Sequence, residues 1–507
     1  MSILGLDIGT TGAKGVVFDL EGRLIASAYR EYNMLSPRPG YLELNPTEVL
    51  DAVAAVCREV ASETTGDPIR SVACSVLGEA ITPVDKDHRP IGNAIIGFDA
   101  RGTAECQALR EKIDNVEVFR LTGHPINSFH TVFKLMHRRK HEPDVYRRAA
   151  RWLGFQELVA VGLGAEAAVD YSAAARTLLL DTHTLTWSDR MMGLAGLSPE
   201  MFARPVPPGT AIGTVDRAGH ERFGLPVGCI VAAGLHDQPA GILGAAVQPG
   251  ESMYATGTVV CIGVLITTDP DPKVMCRSNL CFYPTYGRGR HVSLAWNFTG
   301  GSLLKWYRDR FGGQEQIEAK RRGVDPYDVI LEGLPAEPTT LFVLPYLTTT
   351  GTPWLDTRAL GAVVGLRLTT RRPEVIKALL EGIEYEIALN QSLLAEAGIE
   401  IRLYKAIGGA AKSPVWMQLK ADVLGRPVAV LETTESAALG VALLGARAAG
   451  LIDSVSEAAR RFARTGRLFE PDTRRSAVYN ERLAIYRELY PTIRPLLHRM
   501  AALAGEG

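Results

Sequence analysis

The chain has 507 residues and a formal net charge of -1, long enough for two large lobes and without the overall field that would select nucleic acid or an anionic membrane as partner. Hydrophobic residues at 46% and charged residues at 22% exclude a disordered chain. The seven cysteines lie apart, with no CxxC pair and no histidine beside them at ligand spacing, which excludes a zinc module built on them and fits the free thiols of a cytosolic protein.

The opening MSILGLDIGTTG enters a strand pattern at once, without the basic, apolar and small-residue succession of an export signal. Ile3 to Asp7 and Lys14 to Asp19 read as strands around a turn of Gly9, Thr10, Thr11 and Gly12, and Arg23 to Tyr29 as a third, antiparallel strand. Asn45 and Pro46 announce a helix over Thr47 to Thr64, and Ile69 to Ser75 supplies a buried strand, the alternation of an α/β protein. Val231 to Gly241 is an apolar run ending in a polar cluster and a small-residue helix start. Glu251 to Thr268 repeats the opening pattern with Thr256, Gly257 and Thr258 in the turn, so lobes of residues 1–246 and 247–507 are expected, with a cleft between them. Gly408 to Ser413 forms a further glycine-rich turn ahead of a helix over Pro414 to Leu424. The apolar stretch from Ser436 to Ile452 carries Arg447 and several glycines and falls short of a membrane span, so a soluble, cytoplasmic protein is expected.

A threonine and glycine turn at a hairpin tip offers N–H groups and hydroxyls to an anion, although Gly9 to Gly12 taken alone reads first as an ordinary turn. Asp7 beside the first tip shifts the balance. A carboxylate near phosphate is costly unless a cation intervenes, and Mg²⁺ takes one or two carboxylates plus phosphate oxygens. Lys14 is either a further positive charge for that anion or a solvated lysine. Asp237 closes an apolar strand, where α/β proteins present catalytic groups, and is the candidate base; its alternative is a cap for the following helix. An unperturbed aspartate takes an alcohol proton only late in a reaction, which suits phosphoryl transfer. Gly409, Ala410 and Ser413 offer a flat backbone to a nucleotide or simply connect strand to helix.

Taken in order, GLDIGTTGAK (5–14), Ile69 to Asp85, GLHDQPAG (234–241), ATGT (255–258), FTGGSLLKW (298–306), PYLTTTGTPWLDTRALGAVVGL (345–366) and IGGAAKSPVWMQLKADVLGRPV (407–428) resemble the conserved blocks of the FGGY carbohydrate kinases over nearly the whole chain. The resemblance implies an α/β fold of two actin-like, ribonuclease-H-like domains closing on ATP, Mg²⁺ and a small carbohydrate. By it, Asp237 is the base and joins Asp7 at the magnesium. Thr10, Thr11 and Lys14 would contact the terminal phosphates, and Thr256, Gly257 and Thr258 would close on the γ-phosphate. Gly301, Lys305, Gly409, Ala410 and Ser413 would line the nucleotide pocket, and Glu79, Asp99 and Gln238 would contact the sugar.

The chain departs from the family pattern around the sugar. Gly78 and Glu79 stand where xylulose kinases show Met-His and glycerol kinases Arg-Glu. Gly97, Phe98 and Asp99 stand for Trp-Asn-Asp, removing an aromatic wall, and Thr349 to Pro353 for Gly-Glu-Arg-Thr-Pro. DYSAAARTLLLD (170–181), with Arg176, is more similar to the glycerol and gluconate branches. The expected reaction is γ-phosphoryl transfer to a ketopentose such as xylulose, with glycerol, erythritol or gluconate as alternative acceptors. Rival readings are an actin-like ATPase module without sugar kinase activity and a sugar-binding regulator on a kinase frame. A homodimer is the prior for this size.

Overall fold

The computed structural model describes residues 1–433 and 435–503. The first strands, β1 (Ser2–Ile8), β2 (Gly12–Phe18) and β3 (Leu24–Glu31), form the expected antiparallel meander. Helix α1 (Pro46–Glu63) starts where the side chain of Asn45 accepts the Thr47 N–H and Pro46 fills the first helical position. Its Val49, Val53, Val56 and Val60 share one core with the meander. Strand β4 (Ile69–Val76) runs parallel to β1, and β6 (Ile230–His236) parallel to β4, with the short β5 (Ala211–Thr214) antiparallel at the edge. The sheet order is thus β5-β6-β4-β1-β2-β3, and helix α2 (Asp237–Gly244) follows β6. Between β4 and β5 the chain adds a helical insertion with its own core around Leu109, Phe133 and Trp152.

The second half repeats this plan. Strands β7 (Glu251–Thr256), β8 (Val260–Ile266), β9 (Tyr283–Pro284) and β10 (His291–Asn297) pair antiparallel in the order β9-β10-β8-β7. After helices α3 (Gly301–Arg310) and α4 (Arg372–Glu396), strand β11 (Leu403–Ile407) joins β7 in parallel. Helix α5 (Pro414–Leu424) leads to β12 (Val428–Leu431), parallel to β11. After α6 (Ser436–Ala448), β13 (Thr465–Phe469) closes the edge antiparallel, and α7 (Thr473–Leu503) ends the described chain. A three-stranded meander followed by two parallel strands therefore occurs twice, so the pattern repeat in the sequence corresponds to a repeat of topology.

Helix α6 joins the halves. Leu439, Val441 and Leu443 pack in one core with Ile3, Val16 and Ala73 of the first sheet. The approach is backbone to backbone: a Cβ on Gly440 would lie 2.1 Å from the Ala240 carbonyl oxygen, and one on Gly244 would lie 1.8 Å from that of Ser436. Only glycine permits α2 and α6 to meet this closely. All seven cysteines are buried and free. Among the described residues, no helix is long and apolar enough to cross a membrane.

Candidate active site

Because β1, β4 and β6 are parallel, their C-terminal ends emerge on one edge of the first sheet, and they deliver Asp7 and Asp237 there. Asp7 accepts the Ser75 hydroxyl at 2.7 Å. Asp237 is the first residue of α2; the residue at the cap position is His236, so the capping role weighed from the sequence does not apply. His236 orients the carboxylate. Its Nε2 lies 3.0 Å from Asp237 Oδ1, its Nδ1 2.9 Å from the Tyr283 hydroxyl, and its backbone N–H donates to Ser172 Oγ at 2.9 Å. The ring therefore meets the carboxylate as an ion-pair contact, and Asp237 Oδ1 has no hydrogen-bond partner among the described residues. Burial pushes the Asp237 carboxyl upward, but His236, the Gln238 N–H and Arg176 outweigh it and hold it below the usual carboxylate value.

Two cavities meet at Asp237 and Gln238. The first, of about 160 Å³, is walled by Phe98, Phe129, Trp296 and Phe298, with Glu79 and Arg176 as an ion pair and Thr10 at its edge. The rings touch edge to face, Phe98 lying 5.4 Å from Phe298 and 6.0 Å from Phe129 between centroids. These rings rebuild the aromatic wall that Gly97 was expected to remove. The second cavity, of about 180 Å³, is bounded by Asp7, Glu435, Ala255 and Ile407. Burial, with Asp237 and Glu435 adding to it, pushes the Asp7 carboxyl up to about 6 against the opposing Ser75 hydrogen bond and Lys14. The donors Asp7, Asp237, Glu435 and Gln238 Oε1, the last without a hydrogen-bond partner among the described residues, are all oxygens. Such a set fits Mg²⁺, whose charge would relieve the repulsion among the carboxylates.

The glycine and threonine turns come to the same cleft. In the first, the Gly9 N–H donates to the Gly12 carbonyl at 3.0 Å, and the Tyr32 hydroxyl contacts the carbonyls of Gly9 and Gly12 at 2.5 and 3.0 Å. Thr10 reaches the acceptor-side cavity and Thr11 is exposed. Lys14 lies opposite Asp7 in the β1/β2 register and pairs with Glu435 at 2.6 Å. In the second turn, Thr256 Oγ1 donates to the Ile407 carbonyl at 2.6 Å, while the N–H groups of Gly300 and Gly301 donate to the carbonyls of Thr258 and Gly257, both at 2.9 Å. Gly408, at a φ of +94°, packs against the Thr256 backbone and leads into Gly409 and Ala410. Ser413 caps α5 by accepting the Trp416 N–H at 3.4 Å, and Lys305 is exposed on α3.

Asp99 is not brought to the cavity. Its side chain is buried, bound by Arg101 at 2.6 and 2.8 Å and accepting the Leu42 N–H at 2.6 Å, and Phe98 lines the wall in its place. The residues that sequence reasoning left outside the site are Glu435 and Tyr283, together with Arg176, read there only as a mark of the branch. Burial works against the Arg176 charge, but the partnership with Glu79 raises its pKa above the usual arginine value.

A duplicated sheet with one glycine and threonine turn in each half and a strand-end aspartate in the first defines a two-domain, actin-like phosphotransferase acting on an alcohol group. The chain belongs to the FGGY family of carbohydrate kinases, whose N-terminal domain model matches residues 2–244 and whose C-terminal domain model matches residues 253–449. It is similar to the xylulose kinase of Bacillus subtilis (strain 168), 25% identical over 96% of each chain. It is 28% identical to the autoinducer-2 kinase of Klebsiella pneumoniae over 96% of this chain and 93% of that one. The fold matches the crystal structure of gluconate kinase from Lactobacillus acidophilus with a TM-score of 0.88, covering 97% of this chain and 98% of that one at 23% identity.

Proposed function

We propose that the protein is an ATP- and Mg²⁺-dependent kinase of a small neutral sugar, a ketopentose such as xylulose, with Asp237 as the base. The observation that carries this reading is that Asp237 borders both cavities at once, one suited to an acceptor and the other to a cation. The acceptor lies against the aromatic wall with Glu79 and Gln238 on its hydroxyls. Thr10, Thr11 and Lys14 hold the terminal phosphates from one lobe and Thr256 to Thr258 from the other, with Gly301, Lys305, Gly409, Ala410 and Ser413 at the nucleotide. Mg²⁺ held by Asp7 and Asp237 supplies charge neutralisation at the phosphate oxygens. Asp237, kept ionised by His236 and Arg176, orients the acceptor hydroxyl and takes its proton as the new O–P bond forms.

The preference for a neutral acceptor rests on charge. Arg176, the cation lining the acceptor cavity, is already paired with Glu79, so a sugar-acid carboxylate would meet Glu79 and Asp237 uncompensated. A second reading, with autoinducer-2 as acceptor, is favoured by the four aromatic rings of the wall and by the relatives named for that activity. The reading takes the lobes as 1–246 and 247–507, supported by family matches that end at 244 and resume at 253. The free buried cysteines support a reducing, cytoplasmic setting. Coupled ADP release with xylulose, autoinducer-2, glycerol, erythritol and gluconate tests the acceptor. A kcat/KM for xylulose at least ten times that for gluconate is expected; preference for gluconate would overturn the charge argument.

A further inference from the structure

Glu105 stands on the helix Thr103–Arg110, and His137 and His141 lie one turn apart on the helix Thr131–His141. Glu105 Oε2 is 3.8 Å from His137 Nδ1 and Oε1 is 3.9 Å from His141 Nε2, and one ligand atom from each of the three lies within 4.8 Å of the others. The Glu105 side chain is only 10% exposed, and its Oε2 has no hydrogen-bond partner among the described residues. A buried carboxylate oxygen left unsatisfied is costly, so the arrangement calls for a partner on that side. The two imidazole rings stack at 4.3 Å and both present a nitrogen to the same carboxylate.

We propose that Glu105, His137 and His141 bind one divalent transition ion of the zinc class, at a site separate from the kinase cleft. Two imidazole nitrogens and one carboxylate are ligands that Zn²⁺ accepts, and the fourth position falls to water. Tetrahedral bonds of about 2.0–2.2 Å set neighbouring ligand atoms about 3.3 Å apart. The two carboxylate-to-imidazole separations exceed that by roughly half an ångström, and with one ligand atom from each residue no pair exceeds it by more than about 1.5 Å, a gap that rotation of the three side chains would have to close. His141, with 48% of its side chain exposed, provides the way in from solvent. The nearby Arg101 does not oppose the ion with a free charge, being paired with Asp99 at 2.6 Å and Glu43 at 2.7 Å, while Glu142 lies 3.5 Å from it.

The ion would tie together the two helices behind the acceptor cavity. One follows the segment that contributes Phe98, and the other carries Thr131, whose hydroxyl donates to the Glu79 carbonyl at 2.9 Å, and Lys134, whose ammonium donates to the Asp99 carbonyl at 2.6 Å. None of the three ligands lines that cavity, so the role is to hold the wall rather than to touch substrate.

The test uses the full chain, stripped with a chelator and then given saturating Mg²⁺ so that the oxygen-only site is occupied. Zn²⁺ is titrated by calorimetry and Co²⁺ by its visible absorption, on wild type, His141→Ala and His137→Ala/His141→Ala, with thermal melts to verify folding. The expected result is one equivalent of Zn²⁺ that raises Tm, weakened at least ten-fold in the single variant, in line with about 10–100-fold for the loss of supporting groups alone. Absence of stoichiometric binding in wild type, or unchanged affinity in the folded His141→Ala protein, overturns the proposal. Because His141 is half-exposed, that single variant decides the matter even if the double one does not fold.

Discussion

Replacing Arg176 by Ala tests how the acceptor cavity is held together. Arg176 and Glu79 form an ion pair with side chains only 11% and 13% exposed, so removing the guanidinium strands a carboxylate that water scarcely reaches. Breaking one partner of a buried pair costs about 3–5 kcal/mol, whereas replacing both by apolar groups of similar volume is often neutral. The residual exposure points to the lower end, about 3 kcal/mol, for Arg176→Ala, and to less than about 1 kcal/mol for Glu79→Met/Arg176→Leu. Urea unfolding of wild type, Glu79→Met, Arg176→Leu and the double variant gives the cycle, with Arg176→Ala measured beside it, and steady-state ADP release gives the acceptor KM. Activity should be impaired in every variant, because Glu79 and Arg176 both line the cavity. If Arg176→Ala costs less than about 1 kcal/mol, or the double variant is as unstable as the sum of the singles, the pair does not behave as a buried one.

Asp7 makes the site pH-dependent. With its carboxyl raised from 3.8 to about 6, the folded chain retains a proton that the unfolded chain has released, so this group lowers metal-free stability as pH rises through that window. Conversely, Mg²⁺ must displace that proton below about pH 6, and the Mg²⁺ concentration for half-maximal ADP release should climb up to roughly ten-fold per pH unit there. Asp7→Asn should lessen the fall of metal-free stability with rising pH across this window, as read by thermal melts from pH 4 to 7, the remainder belonging to Asp170, Glu157 and Glu386, whose carboxyls burial raises to about 6, about 7 and about 7. Gly440→Ala places a Cβ against the Ala240 carbonyl, so α6 must shift and carry Glu435 with it. A loss of about 1–3 kcal/mol and a weaker Mg²⁺ response are expected from melts and kinetics. Lys420 is fully buried, 2.6 Å from Glu384 and 3.9 Å from the Tyr254 ring centroid. Lys420→Met should therefore cost about 3–5 kcal/mol in urea unfolding.

The sequence was most readable where a feature is local. The Asn45 and Pro46 signal marked α1, and the turns beside Asp7 and at Thr256 were visible because glycine and threonine interrupt apolar runs within a few residues. Asp237 was legible as a carboxylate closing a strand. Glu435 was not, because it reaches the second cavity only through the glycine contact between α2 and α6, helices nearly two hundred residues apart in sequence. Arg176 and Glu79 are separated by 97 positions, so their pairing has no local trace. Asp99 is the opposite case. Its partner Arg101 stands two residues on, and that short-range pairing was the available signal that the carboxylate is not free for a sugar. The aromatic wall was missed because Phe98, Phe129 and Phe298 come from three separate segments.

The most direct test of the central claim is sugar-dependent ADP release with Mg-ATP, comparing wild type with Asp237→Asn. The account predicts turnover that requires an acceptor sugar and falls about 10²–10⁴-fold in the variant, with nucleotide binding retained. Nucleotide turnover that no sugar stimulates, or a variant as active as wild type, would contradict the assignment of Asp237 as the base between the two cavities.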